Sequence, residues 1–268
     1  MEKLIITIAP TGNVPTKEMT PYAPLTAKEI AQDIADCYAA GAAIAHIHAR
    51  DAALKPTAKP EFFRVILDEP MLRECPILKQ LSTGARGTTC HEERAAVLSL
   101  NPWSASLATG SSNFPSVANI NEPALIEYLA KEMLDRNIRP EIEVFDTAMI
   151  ANAERLQKAG LLKLPLHFNL VLGVKGALPA TPRNLFFLVE SLPKECTWSV
   201  SVIGRAHVPL STITIALGGH VRVGIEDNIY YDKGHLGTNV QMVKRMVKIA
   251  SAMGRELAKP EDIPAIWR

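Results

Sequence analysis

The chain has 268 residues, of which 47% are hydrophobic and 21% charged, and its formal net charge is +1. This length suits one globular domain over residues 1–268, and the near-neutral charge argues against a nucleic-acid-binding protein, which usually carries a basic face. No apolar run is long enough to cross a bilayer, and residues 1–6 indicate a strand rather than a signal peptide. The cysteines lack C-x-x-C spacing and fit reduced thiols, so we expect a cytoplasmic protein. Without a long apolar run, we expect no membrane partner.

Short apolar runs alternate with amphipathic stretches at a period of roughly thirty residues, the length of one βα unit. The first predicted strand covers residues 4–9, and the first helix begins at a capping box, Thr26 to Glu29, and runs to Gly41. The second strand carries His46 and His48. The later strands are predicted at 77–82, 103–107, 140–146, 164–172, 197–203 and 220–227. The later helices are predicted at 60–73, 91–100, 123–136, 148–159, 181–192, 210–217 and 239–254.

Eight such units without a break in composition predict a closed (β/α)8 barrel of the TIM type, and the length fits that fold. The alternative is an open, doubly wound sheet. Its usual cofactor fingerprint, G-x-G-x-x-G after the first strand, is missing here, so we favour the closed barrel.

Two histidines on the second predicted strand are candidate metal ligands. Side chains alternate between the faces of a strand, so His46 and His48 point the same way. Zinc binds imidazole nitrogens, and a catalytic zinc site keeps one position open. His-x-His alone is weak support for a metal site. The alternative is a pair of histidines near a strand end that are hydrogen-bonded to their neighbours.

The eighth predicted strand offers a third ligand. Arg222 and Glu226 share one face at period two, whereas Asp227 points the other way or turns off the strand end. In a closed barrel the eighth strand neighbours the first, which neighbours the second. Glu226 could therefore join the two histidines in a His₂Glu shell. Its alternative role is a salt bridge to Arg222 or Arg50.

Seven short segments stand out along the chain: 9–12 (APTG), 46–51 (HIHARD), 82–84 (STG), 140–144 (PEIEV), 172–174 (LGV), 204–209 (GRAHVP) and 222–228 (RVGIEDN). Taken in order, these segments resemble the β-keto acid cleavage enzymes, and the resemblance covers nearly the whole chain.

The resemblance implies a zinc-dependent (β/α)8 enzyme that condenses a β-keto acid with acetyl-CoA and forms acetoacetate and a new acyl-CoA. It also implies a homotetramer. By matching position, the zinc ligands are His46, His48 and Glu226. The residues implied to line the substrate site are Ser82, the backbone around Ala85, and Ser106. The charged catalytic group is implied to be Arg222, Asp227 and Glu143.

Two roles within this assignment stay open. Asp227 is our candidate for the base that removes the proton from the α-carbon, and a purely orienting role is the alternative. The hydroxyls of Ser82 and Ser106 either bind substrate oxygens or only cap local backbone.

Three positions depart from the aminohexanoate-cleaving members of this family. Val14 stands where those enzymes carry a glutamate that pairs with the substrate ammonium, so Val14 predicts a neutral or apolar tail on the β-keto acid. Nearby Asn13 leaves a hydroxylated tail open. Ala85 replaces a glycine and Ser106 a threonine, which are small changes in the same pocket.

Two other functions remain open from the sequence. The first is a zinc-dependent aldolase or hydrolase that acts on another carbonyl substrate without CoA. The second is a catalytically silent barrel that binds a ligand.

Overall fold

The computed structural model describes residues 1–84, 88–114 and 117–267, and in this part of the chain eight parallel strands close into a barrel. Each strand pairs with the next along the chain, and the eighth pairs with the first. The strands are β1 (Ile6–Ile8), β2 (Ile44–Ile47), β3 (Leu78–Leu81), β4 (Ser104–Ala108), β5 (Arg139–Val144), β6 (Leu166–Leu172), β7 (Cys196–Val202) and β8 (His220–Val223). The predicted (β/α)8 barrel is confirmed.

Helices connect successive strands. They are α1 (Ala27–Ala39), α2 (Pro60–Asp68), α3 (Pro70–Arg73), α4 (His91–Ala95, continued by a 3₁₀ helix over Ala96–Leu100), α5 (Pro123–Asp135), α6 (Thr147–Lys158), α7 (Pro182–Glu190), α8 (His207–Ala216) and α9 (Asn239–Ala252). A 3₁₀ turn over Pro260–Asp262 and α10 (Ile263–Ile266) follow. None of the helices in the described ranges is long and apolar enough to span a bilayer.

Local sequence explains most of these boundaries. Thr26 caps α1 as predicted, because its hydroxyl accepts a hydrogen bond from Glu29 N while the Glu29 carboxylate accepts one from Thr26 N. The predicted helix 60–73 is split at Glu69, which is extended (ψ 126°) because the residue before a proline avoids helical geometry. α8 begins at His207 rather than at residue 210.

Two short antiparallel ribbons were not predicted. One pairs Ala49–Arg50 with Pro56–Thr57, and the other pairs Tyr230–Asp232 with His235–Leu236. Both follow barrel strands at the end where chemistry occurs in this fold.

Alternate side chains along the barrel strands face two different environments. One set is apolar and joins the buried core that includes the helices, as Ile6, Ile8 and Ile47 do. The other set contains apolar residues such as Ile44, which joins a second buried cluster with Trp267, and buried polar residues. Hydrogen bonds between these polar residues link neighbouring strands, such as that from Gln80 Nε2 to Ser104 Oγ at 3.2 Å. The core therefore lies between sheet and helices, while the barrel lumen holds polar groups that need partners.

Candidate functional site

The histidine pair lies at the carboxyl end of β2, and both imidazoles are buried. His46 Nε2 and His48 Nε2 lie 3.2 Å apart. The two rings therefore present their nitrogens to the same small space, as the strand alternation predicted.

Glu226 reaches this space from a turn, not from a strand. The predicted strand 220–227 ends at Val223, because Gly224 turns the chain with φ +148°. A Cβ at Gly224 would lie 2.1 Å from Ala9 O, so glycine is required there. The turn brings Glu226 Oε1 to 3.4 Å from His48 Nε2 and 4.0 Å from His46 Nε2.

The ligand atoms of these three residues all lie within 4.8 Å of one another, so the group could hold a metal ion. Two further observations fit a cation. Burial, and then the charge of Arg222, lowers the pKa of His46 to about 3, so its ring is neutral at pH 7. Glu226 Oε2 is buried and has no hydrogen-bond partner in the described part of the chain. An unpaired acceptor beside two imidazole nitrogens is the donor set that divalent metals bind.

Gln80 on β3 supports the histidine pair, and the sequence analysis missed it. Its Oε1 lies 2.6 Å from His46 Nδ1, while its Nε2 donates to Ser104 Oγ. The amide oxygen therefore accepts from Nδ1–H and leaves the lone pair of His46 Nε2 free for a metal. The available clue was its position two residues before Ser82 on the same face of a predicted strand.

If the group binds a divalent cation, replacing Gln80 by methionine is expected to weaken the affinity for added Zn²⁺ by about 10–100-fold, because the ring of His46 then loses the partner that fixes its tautomer and orientation. Competition with a chromophoric chelator measures the affinity. Asn169→Leu is the matched control, since Asn169 is a buried lumen amide that bonds Ser201 Oγ at 2.9 Å and not His46. Equal zinc affinity in both variants would refute this role for Gln80.

Arg222 lies at the centre of the charged group. Its guanidinium donates to both oxygens of Asp227, at 2.9 and 3.0 Å, and to Glu226 Oε1 at 2.6 Å. Glu143 Oε1 lies 3.5 Å from Arg222 Nη1. Glu226 Oε1 therefore takes part in both arrangements, because it pairs with Arg222 and also lies beside His48.

Burial and Arg222 act in opposite directions on these carboxyl groups. Burial raises the pKa of Asp227 to about 6 and that of Glu143 to about 7. Burial also opposes ionisation of Glu226, but Arg222 and the two histidines hold the pKa of Glu226 well below its usual range. The group thus combines one strongly ionised carboxylate with two that titrate near neutral pH.

A cavity of roughly 120 Å³ connects the metal-ligand group, the charged group and part of the predicted substrate site. Val14 lies at its edge and is about half exposed, and Ser82 also lines it. The Ser82 hydroxyl accepts from Gly84 N at 3.1 Å. The remaining lining residues in the described part of the chain are Asn13, His48, Gly84, Phe114, Asn119, Glu143, Phe145, Val171, Val174, Ile203, Arg222, Glu226 and Asp227.

The other two predicted substrate residues are Ser106 and Ala85. Ser106 is buried, its hydroxyl accepts from Thr83 N at 3.2 Å, and it is not among the described residues that line the cavity. Ala85 lies outside the described residues. The apolar wall of the cavity, which includes Phe145 and Ile203, was not predicted, because these residues directly follow β5 and β7 and belong to none of the quoted segments.

Residues 3–267 match the sequence model of the beta-keto acid cleavage enzymes. The chain belongs to this family. It is 42% identical over 265 residues to the 3-keto-5-aminohexanoate cleavage enzyme of Fusobacterium nucleatum, an alignment that covers 98% of this chain and 96% of the relative. It is 37% identical to the 3-oxoadipate:acetyl-CoA acetyltransferase of Cupriavidus necator, over 95% of this chain and 90% of that enzyme.

A solved structure with the same fold is the ternary complex of ObcA with a C4-CoA adduct and oxalate. Its TM-score is 0.76 at 22% sequence identity, and the match covers 92% of this chain and 67% of ObcA. At this identity the likeness supports the barrel fold alone.

Proposed function

We propose that this protein is a zinc-dependent C-acyltransferase that condenses a β-keto acid with acetyl-CoA and releases acetoacetate and a new acyl-CoA. The observation that carries the proposal is one cavity lined by His48, Glu226 and the Arg222–Asp227 pair. Family membership and the acetyltransferase name of the Cupriavidus relative support the reaction class.

His46, His48 and Glu226 would hold the cation, with an open position for the substrate. Two imidazoles and one carboxylate are a ligand set of catalytic zinc sites. When bound, the cation supplies Lewis-acid stabilisation of negative charge on the keto and carboxylate oxygens of the substrate.

Asp227 removes the proton from C2 of the β-keto acid. Both of its oxygens accept from Arg222, which fixes the carboxylate. Burial raises the pKa of Asp227 and Arg222 opposes that rise, which is the balance expected of a carboxylate that takes part in proton transfer. Glu143 contacts the opposite nitrogen of Arg222 and helps to orient that guanidinium.

The carbon skeleton is then exchanged in two steps. C2 of the keto acid forms a bond to the acetyl carbonyl carbon, and the CoA thiolate leaves. This thiolate adds to the original keto carbon, the bond from that carbon to C2 breaks, and Asp227 returns its proton to C2. The products are acetoacetate, which keeps the carboxylate of the keto acid, and an acyl-CoA that carries its tail.

The first loop sets the class of tail. Arg50 Nη2 donates to the carbonyls of Gly12 and Pro15 at 2.7 and 3.1 Å and so fixes both ends of the segment that carries Asn13 and Val14. An isopropyl group at the cavity edge cannot compensate a cationic substituent. We therefore propose a β-keto acid with a neutral or apolar tail.

Replacing Val14 by glutamate is expected to raise kcat/KM for an amino-substituted β-keto acid by about tenfold relative to an unsubstituted one, because a charged hydrogen bond contributes roughly 1.5 kcal/mol. Steady-state kinetics on the two substrates measure the ratio. Val14→Gln has nearly the same side-chain size without the charge and should leave the ratio near that of the parent. An unchanged ratio in Val14→Glu would show that the first loop does not contact the tail.

The reaction is tested on purified protein by metal analysis and by acyl-CoA formation from acetyl-CoA over a panel of β-keto acids with apolar, hydroxylated, acidic and cationic tails. We expect about one zinc per chain and the highest turnover with apolar tails. Zinc with carbonyl-substrate turnover that needs no CoA would indicate an aldolase or hydrolase. Zinc without any turnover would indicate a ligand-binding barrel. The homotetramer implied by the resemblance also stays a prediction, which light scattering on the same sample measures.

A further inference from the structure

Asn239 is a fully buried amide at the first position of α9, and it bonds to three separate parts of the chain. Its Oδ1 accepts from Ile225 N at 2.7 Å. Its Nδ2 donates to Pro10 O at 3.1 Å and to Asp33 Oδ2 at 2.6 Å. Both amide hydrogens and the oxygen are therefore engaged.

Two of these partners adjoin the proposed metal site. Ile225 directly precedes the ligand Glu226, within the turn that follows β8. Pro10 begins the first loop, which continues to Gly12. A Cβ on Gly12 would lie 2.4 Å from Glu226 Cγ, so this loop packs directly against the side chain of the ligand. One amide thus holds both the turn that presents Glu226 and the loop that packs on it.

The third partner determines which way the amide faces. Asp33, on α1, offers a carboxyl oxygen to Nδ2, and the Ile225 N–H requires an acceptor on the other side. If the amide were rotated by 180°, Oδ1 would face the oxygens of Asp33 and Pro10, and Nδ2 would face the N–H of Ile225. Asp33 and Ile225 therefore select one orientation, and in that orientation Pro10 O also receives a donor.

We propose that Asn239, oriented by Asp33, is a positioning residue for Glu226. It fixes the ligand turn to the first loop and so preorganises the cation site. This inference rests on the proposed function only in the measurements of zinc affinity and of the cobalt spectrum. Backbone hydrogen bonds hold the rest of this turn, since Glu226 N donates to Ala9 O at 3.2 Å and Asp227 N to Gly224 O at 3.1 Å. Ile225 N instead donates to Asn239 Oδ1, and a buried N–H left unpaired there would be destabilising.

The test is Asn239→Leu, which is similar in size but neither accepts from Ile225 N nor donates to Pro10 or Asp33. We expect zinc affinity to fall by about 10–100-fold, the range for residues that orient metal ligands. We also expect the visible spectrum of the cobalt-substituted protein to change, which a general loss of stability would not produce.

Two further variants separate positioning from folding. In the double variant Asp33→Asn with Asn239→Asp, the carboxylate at 239 accepts from Ile225 N and from the amide at 33, whereas Pro10 O stays without its donor. Part of the zinc affinity should therefore return. Thr238→Ala removes the neighbouring N-cap, which accepts from Gln241 N at 3.2 Å. It should lower Tm while zinc affinity and the cobalt spectrum stay at parent values.

Hydrogen exchange on the metal-free proteins tests the anchor without any metal. Amides 225–228 should exchange faster in Asn239→Leu, which leaves Ile225 N without its acceptor, and slower again in the double variant. Unchanged exchange in Asn239→Leu, or unchanged zinc affinity and cobalt spectrum, would overturn the role of Asn239. A parent protein that binds no zinc would instead overturn the proposed function, while faster exchange at 225–228 would still support the anchor.

Discussion

Replacing Asp227 by asparagine is expected to lower kcat/KM by about 10²–10⁴-fold, the usual contribution of a general base. The variant keeps the size of the side chain but cannot take a proton from C2 of the β-keto acid. The direct measurement is enzyme-catalysed exchange of the C2 hydrogens in D₂O, followed by NMR without acetyl-CoA. This exchange reports the proton-removal step and not the later carbon–carbon chemistry.

Glu143→Gln is the matched control for this prediction. Glu143 contacts Arg222 Nη1 at 3.5 Å, whereas Asp227 is held by Nε and Nη2, so the control leaves the Arg222–Asp227 pair intact. Exchange should persist in Glu143→Gln, although at a reduced rate. C2 exchange at the parent rate in Asp227→Asn, with the metal bound, would assign Asp227 an orienting role only.

Replacing His48 by alanine is expected to abolish stoichiometric zinc binding and to lower turnover by about 10³-fold or more. Lewis-acid stabilisation is worth several kcal/mol, and each 1.36 kcal/mol corresponds to a factor of ten in rate. Metal content and acyl-CoA formation are measured on the same preparation. Of the two histidines, His48 lies nearer to Glu226, so the substitution also leaves that carboxylate without its closest imidazole nitrogen.

His235→Ala is the control for the loss of a histidine as such, because His235 is exposed on a ribbon outside the ligand group. It should keep parent zinc content and turnover. Full zinc and full activity in His48→Ala would show that the ligand assignment is wrong.

The barrel could be predicted because its information is local. Each unit carries an apolar run and an amphipathic stretch, and boundaries such as the Thr26–Glu29 capping box depend on neighbouring residues alone. The two histidines were also predictable, since alternation along β2 places both on one side. Features that depend on neighbouring residues, such as the βα units, the helix cap and the histidine pair, could therefore be predicted from the sequence.

The Glu226 turn shows where such rules end. Continuing β8 by alternation predicts that Glu226 lies on the lumen face, and Glu226 does reach the lumen, but through a turn at Gly224. The reason is tertiary, because only the close approach of Ala9 O makes a glycine with φ +148° necessary. Alternation along β8 therefore predicts the right residue, although Glu226 lies in the turn after the strand and not on the strand itself.

The supporting residues were missed because their partners are distant in sequence. Gln80 acts on His46, which is 34 residues away, and Asn239 joins Pro10, which is 229 residues away. The one local clue for Gln80 is its position on the same strand face as Ser82, and Asn239 has no feature on its own helix that distinguishes it from an ordinary polar position. Only closure of the barrel brings these amides to the site.

The fate of the acetyl group tests the central claim most directly. Acetyl-CoA labelled with ¹³C in both acetyl carbons is incubated with an unlabelled β-keto acid, and both products are analysed by NMR and mass spectrometry. The proposed reaction places the label in C3 and C4 of acetoacetate and leaves the new acyl-CoA unlabelled. Label in the new acyl-CoA, or an unlabelled acetoacetate, would contradict it.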